Sequence, residues 1–421
     1  MHRILAAILV ATSCIAMAQA QQDISTIHTT GPTFTLDQAI TAAAGSMPGA
    51  DVAQAGIAIA QAARTTAGLR PNPELQTQVE NIAGSGPYGG FSQAETTIGL
   101  NIPIEMGGKR AARIAVADAQ ASRALLTAAI TQADIRLQVT QLYVDAVAAE
   151  RRLATAHDQR RIAQEAFAAA RVRVQAGRAS PIEEQRADVA RLNAEAGVQR
   201  AQRLAEATRT NLGRRVGRSI VDPLDAAALD HLPTAISGPT FIDGNGTLAL
   251  AAASADVAIA DAGVRLARSQ RVPDITAGPA VRRLEATNDH AAVFSLSIPI
   301  PLFNAGNAAV AQANAERTRA EAQRRMTAQD VEQAITDAKA EADNAATMAR
   351  TASGPALAAA QEAARIARIG YREGKFGQLD LLDAERTLAD TRIAAIDALA
   401  AYQNARAQLE RLTAPAPQQG Y

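Results

Sequence analysis

Two short stretches of the chain alternate strictly between apolar and polar side chains, and two very long stretches repeat small apolar residues in steps of three and four. Ile98, Leu100, Ile102 and Ile104 share one side of the first alternating stretch, with Thr97, Gly99 and Asn101 on the other. Phe294, Leu296, Ile298, Ile300 and Leu302 do the same in the second, opposite Ser295 and Ser297, and both stretches carry proline at the matching place, Pro103 and Pro299. In the first long stretch Ile135, Val139, Leu142, Ala146, Ala149, Leu153 and Ala156 keep heptad spacing, resumed by Ala163, Phe167, Ala170 and Val174. In the second, Val331, Ile335, Ala338, Ala342, Ala345, Ala349, Ala352, Ala356, Ala359, Ala363 and Ile366 keep it throughout.

The order of these elements recurs at a nearly constant offset, which identifies a tandem duplication. The first unit, 21–216, is expected to hold a helix over 35–69, strands over 74–83 and 94–104, a long helix over 109–175 and a returning helix over 181–216. The second, 247–412, is expected to hold a helix over 247–270, strands over 274–285 and 292–302, a long helix over 306–373 and a returning helix over 378–412. Each long helix is a rod of about 100 Å at 1.5 Å per residue. Gly354-Pro355 interrupts the second rod and predicts a kink with no counterpart at His157-Asp158. Residues 217–246, with Pro223, Pro233 and Pro239, read as a connector, and 413–421 as a disordered tail.

Composition sharpens this picture. Alanine makes up about a quarter of the 421 residues, aromatics 3%, and tryptophan is absent, so apolar burial must come from close helix packing rather than from a bulky core. The 42 basic and 42 acidic residues balance, which gives no cationic field for nucleic acid. At the start, Arg3, the apolar run Ile4 to Ala16 and Ala18-Gln19-Ala20 read as a secretory signal, 1–20, cleaved before Gln21. Acylation of Cys14, the only cysteine, is the alternative. His28, His157, His231 and His290 are scattered without ligand spacing and no phosphate-binding loop occurs, so neither an enzyme, a cofactor nor a metal site of the chain's own is expected. The glycines of Gly84 to Gly90 read as a hairpin loop between two strands.

About ten residues, apolar on one face and polar on the other, suit a strand of a membrane barrel, and they equally suit a small soluble sheet capping a coiled coil. Four strands are too few to close a membrane barrel, so several chains would have to share one. A periplasmic adaptor, the other class considered, would show one helical hairpin inside split β-domains, whereas this chain shows two hairpins, each preceded by strands.

The chain resembles the TolC-like outer-membrane efflux factors over nearly its whole length after the signal. The duplicated strand-to-helix passage carries that resemblance, together with the turns Gly177-Arg178-Ala179-Ser180-Pro181-Ile182-Glu183 and Gly374-Lys375-Phe376-Gly377-Gln378-Leu379-Asp380-Leu381-Leu382-Asp383-Ala384. It is most similar to the CzcC-like heavy-metal efflux branch, on Asn72-Pro73-Glu74-Leu75 leading to Glu80-Asn81, and on Glu105-Met106-Gly107-Gly108-Lys109-Arg110. The resemblance implies a mainly α fold with a membrane β-barrel portion. In it a homotrimer builds one twelve-stranded barrel in the lipid of a Gram-negative outer membrane, continued by a helical periplasmic tunnel. It implies a passive duct, with heavy-metal cations as cargo, fed by an inner-membrane proton-driven efflux pump through a periplasmic adaptor (membrane fusion) protein. It places a periplasmic gate at Tyr371, Asp380 and Asp383, with Glu183 as the carboxylate of the first half. It places adaptor-docking tips at Gly177, Arg178, Ala179, Ser180 and Pro181, and at Gly374, Lys375, Phe376, Gly377 and Gln378. Phe376 stands where some relatives carry a basic residue that ties the gate shut.

Overall fold

A computed structural model describes residues 33–233 and 244–417. The signal segment with Cys14 and its cleavage site, connector residues 234–243 and tail residues 418–421 lie outside the described residues.

The elements follow as α1 (Leu36–Ser46), α2 (Pro48–Ala67), β1 (Glu74–Glu80), β2 (Glu95–Ile104), α3 (Lys109–Gln175) and α4 (Pro181–Val216), then α5 (Leu248–Ser269), β3 (Ile275–Leu284), β4 (Asp289–Ser297), α6 (Asn307–Thr351), a π-helical turn (Ala352–Ala356), α7 (Leu357–Arg372) and α8 (Gln378–Leu412). The duplication is visible in this order, with one difference at each helical start. The helix expected over 35–69 is two helices, because Pro48 holds Met47 in an extended conformation and no N–H at 48 can continue the ladder. Its counterpart α5 has no proline and runs unbroken. Thr35 and Gln38 close a reciprocal capping box at the start of α1, at 3.3 and 3.1 Å. Gly108 and Gly306, both left-handed, turn the chain from strand into long helix in each half.

The four strands form one antiparallel sheet in the order β1-β2-β3-β4. β4 ends at Ser297, short of the expected 302, because Pro299 and Pro301 remove two backbone donors from its extension. Pro103 is tolerated inside β2 because only β3 flanks it there; β1 begins at Glu74, opposite Asn101.

At the far end from the sheet, α3 and α4 form one hairpin, and α6, α7 and α8 the other. The hairpins lie side by side through α3 and α8, linked by Arg152–Asp397 (2.6 Å), Arg392–Asp158 (3.4 Å) and Arg411–Asp134 (2.5 Å). The main core sits at the waist, where Phe34, Val139, Tyr143, Val147, Leu212 and Leu229 are wholly buried beside Ala345, Ala349, Ile396 and Leu399. Tyr143 is its polar anchor: the hydroxyl donates to the Phe34 carbonyl at 2.7 Å and accepts the Asp225 N–H at 2.9 Å, and burial pushes its pKa up to about 12. The connector therefore folds onto the waist, with a bridge from Leu224 to Phe34 and a short 3-10 turn at Ala226–Leu229. The start of the expected tail is also held, since Leu248 N–H donates to Ala414 and Ala416 N–H to Gly246, at 3.1 and 2.8 Å.

The kink expected at Gly354-Pro355 is the π-helical turn, with Gly354 outside helical backbone angles. A π-turn takes in one extra residue, and the heptad seam shifts accordingly. Before it Val331, Ile335, Ala342, Ala345 and Ala349 are buried as expected; after it Ala360, Ala364 and Ala367 are buried, whereas Ala359, Ala363 and Ile366 are exposed. The seam beyond Ala349 is thus displaced by one position from the sequence reading. The residues past the turn build a separate small cluster, Ala360, Ala364 and Leu388.

Candidate functional site: the sheet faces and the hairpin tips

The sheet turns its apolar side outward. Ile98, Leu100, Ile102 and Ile104 are 41–52% exposed and Phe294 and Leu296 60–71%. The register places Leu75, Val79 and Val281 on the same side. On the opposite face Arg282 ties three strands together, donating to Thr97 Oγ1 (3.0 Å) and Glu95 (2.8 Å) and pairing with Glu80 (3.2 Å). Asn101 donates to Gln76 on that face at 2.5 Å. A soluble sheet capping a coiled coil would bury that apolar side; here it is exposed, while the Arg282 side chain, 32% exposed, lies between acidic partners on the other face. Neither β1 nor β4 has a second neighbour in the sheet, so both outer edges keep unpaired backbone groups.

Among the described residues no helix is long and apolar enough to cross a membrane. Also among them, no group of three or more His, Cys, Asp or Glu side chains could hold a metal ion.

At the first tip Gly177 is left-handed (φ 67°), and Arg178 N–H reaches back to the Arg173 carbonyl at 2.8 Å, closing the end of α3. Pro181 then opens α4, with Ser180 preceding it as an extended residue. Gly177, Arg178, Ser180 and Pro181 are exposed, while Ala179 and Glu183 are half-buried. The second tip repeats the device. Gly374 is left-handed (φ 73°), Lys375 N–H donates to the Gly370 carbonyl at 2.8 Å, and Lys375 Nζ pairs with Glu373 at 2.6 Å. Open space surrounds both glycines, so backbone sign and not crowding requires them.

The expected gate residues divide in two. Asp383 is exposed on the first turns of α8. Asp380 is exposed as well, but its Oδ2 accepts the Gly377 N–H at 2.9 Å, so it also caps α8. Tyr371 is half-buried at the end of α7, its hydroxyl enclosed without a hydrogen bond, and the Arg173 guanidinium lies 5.2 Å from its ring centroid. That contact joins the two hairpins at their tips, and nothing in the sequence reading assigned Arg173 to it. Phe376 folds back over Gly370, where any side chain would collide with its ring. Gly370 was also missed; the signal available was a glycine inside a helical pattern, four residues before the turn. Gln378 is buried, so of the second tip Gly374, Lys375, Phe376 and Gly377 form the surface. Below them Arg368 grips the buried Glu385 with both nitrogens, one at 2.8 Å, and this pairing raises the Arg368 pKa.

The chain matches the outer membrane efflux protein family over residues 40–218 and 246–414. It is 32% identical over 390 residues to the cobalt-zinc-cadmium resistance protein CzcC of Cupriavidus metallidurans, covering 91% of this chain and 90% of that protein. Among solved structures, the outer membrane protein VceC of Vibrio cholerae shares the fold with a TM-score of 0.71 at 19% identity, over 90% of this chain and 96% of that one. The open state of the Neisseria gonorrhoeae MtrE outer membrane channel gives 0.73 at 20% identity, over 90% and 88%.

Proposed function

Because this chain belongs to the outer membrane efflux protein family, we propose that three copies share one pore and that the pore exports heavy-metal cations. The chain is an outer-membrane efflux channel protein. The observation that carries the shared pore is the sheet with its apolar face outward and both edges unpaired. Lipid offers no hydrogen bonds to such edges, and joining β4 of each copy to β1 of the next removes every edge, with three chains supplying twelve strands. The helical hairpins then continue the barrel into the periplasm. Cargo enters from an inner-membrane pump through an adaptor that docks on the exposed tip residues, and the chain performs no chemistry on it.

Metal cargo rests on the similarity to a cobalt-zinc-cadmium resistance protein and is supported by the inner strand face, where Glu80 and Glu95 pair with Arg282 and Glu74 stands at the other end of β1, opposite Asn101, leaving carboxylate in excess. At the other end Asp380 and Asp383, three copies each, form the gate, with Tyr371 and the half-buried Glu183 contributing less directly. Carboxylates converging on a narrow axis attract cations and exclude anions. The test is to purify the chain in detergent, measure its assembly mass and record it in planar bilayers, while a deletion strain is challenged with cobalt, zinc and cadmium salts. Trimers with cation-preferring conductance and a metal-sensitive strain are expected. A water-soluble monomer without conductance would end the channel reading, and unchanged metal tolerance would end the cargo assignment.

A further inference from the structure

The duplication gives each helix of one repeat a counterpart in the other, and one pair of counterparts is unequally covered. α5 lies between two long helices. It packs on α6 of its own repeat, with Arg324 donating to Ser254 (2.9 Å), and on α3 of the other repeat, with Arg123 bonded to Asp256 (2.9 Å). It buries seven residues, among them Ala252 and Ala262. α2 carries nearly the same sequence, Ile57-Ala58-Ile59-Ala60-Gln61-Ala62 against Val257-Ala258-Ile259-Ala260-Asp261-Ala262. It packs on α3 of its own repeat, where Arg64 bonds Asp118, and buries no residue at all.

The face left open is the one that α5 uses for the other repeat. Val52, Ala55, Ile59 and Ala62 are exposed, Val52 at 72% and Ile59 at 68%, whereas Ala252 and Ala262 are buried and Ala255 and Ile259 half-buried. The spacing of three, four and three is a packing seam.

α6 has the complementary vacancy. α3 is covered on both flanks, by α2 and α5, but α6 meets only α5 in this region, through Val310 and Ala313. About half a turn around the helix from Ala313, Ala308, Ala311, Ala315 and Met326 are exposed, with Ala322 half-buried between them. These are small residues that admit a close helix.

We propose that the Val52–Ala62 seam of one copy packs on the Ala308–Met326 seam of the next, repeating between chains the contact that α5 and α3 make within one. The partner is a second copy of this chain, so the proposal rests on the shared-pore reading and names the residues that close its helical part. It also sets the level of the contact. The Asp256–Arg123 pair maps onto Gly56 and Glu321 through the offsets of Ala262 to Ala62 and Gly108 to Gly306, which sets Ala55 beside Ala322.

Cysteine pairing tests this, because Cys14 of the predicted signal segment is the chain's only cysteine. The chain carrying both Ala55→Cys and Ala322→Cys is expected to give covalent dimers and trimers on oxidation, and either substitution alone is expected to give none. Co-expressing the two single variants, one carrying an affinity tag, is expected to give covalent dimers of tagged with untagged chain and no larger species. Trimers of normal mass without cross-links in the double variant would overturn the seam while leaving the shared pore standing. Absence of trimers in the unmodified chain would instead remove the shared pore itself.

Discussion

The Tyr143 hydroxyl serves two backbone groups at the waist, one from the strand-like start of the described chain and one from the connector. Tyr143→Phe keeps the ring but removes both bonds, leaving the Phe34 carbonyl and the Asp225 N–H only their long 3.4 Å contact with each other, so a loss of about 1 kcal/mol is expected in chemical unfolding. The folded state holds this proton more tightly than the unfolded chain, whose phenol titrates near pH ~10. The contribution is therefore complete below that pH and is lost as pH rises toward about 12. Thermal scans at rising alkaline pH should show a steeper decline for the parent than for Tyr143→Phe. At the tips the requirement is backbone sign: Gly374→Asn should preserve efflux far better than Gly374→Val, since asparagine reaches the left-handed region at lower cost. The same comparison applies to Gly177, and equal behaviour of Asn and Val in resistance assays would refute the turn argument. The two aspartates proposed for the gate should also separate. Asp383→Ala is expected to lower cation selectivity and blockage by multivalent cations in bilayer recordings with no change in unfolding. Asp380→Ala should lower both and destabilise the tip by up to about 1 kcal/mol through its lost cap. Retention of the parent's selectivity in both variants would move the gate elsewhere.

Among the elements, the long helices and the alternating strands were legible because their apolar periods run for many residues, and local exceptions cannot hide them. What escaped was local. A heptad pattern rich in alanine remains plausible in two registers, since the positions one residue on from Ala359 and Ala363 are also alanines, Ala360 and Ala364. Only the turn geometry at Gly354 decides between them. The break at Pro48 and the early end of β4 were written in prolines whose consequence depends on the neighbouring strand or helix. At the tips, left-handed glycines were readable, but the Arg173–Tyr371 contact joins residues far apart in sequence, and no local pattern announces it. The π-turn makes its own prediction: deleting one residue of Ala352–Ala356 should heal the helix and leave Ala360, Ala364 and Ala367 in the seam. Deleting one residue near Ala342 should instead rotate everything up to the turn out of register. Trimer yield and thermal midpoint by circular dichroism should therefore be kept in the first variant and reduced in the second.

On the scale of the whole molecule, the shared pore proposed from the open-edged sheet means that no chain owns a pore; each owns a share. That has a genetic consequence. A chain with a spoiled tip, such as Gly374→Val, still carries intact strand edges and enters assemblies with normal chains. If both are made equally and mix freely, only about one pore in eight is free of the variant. Such an allele should act as a dominant inhibitor of resistance in a cell that also carries the normal gene, whereas a deletion allele should be recessive.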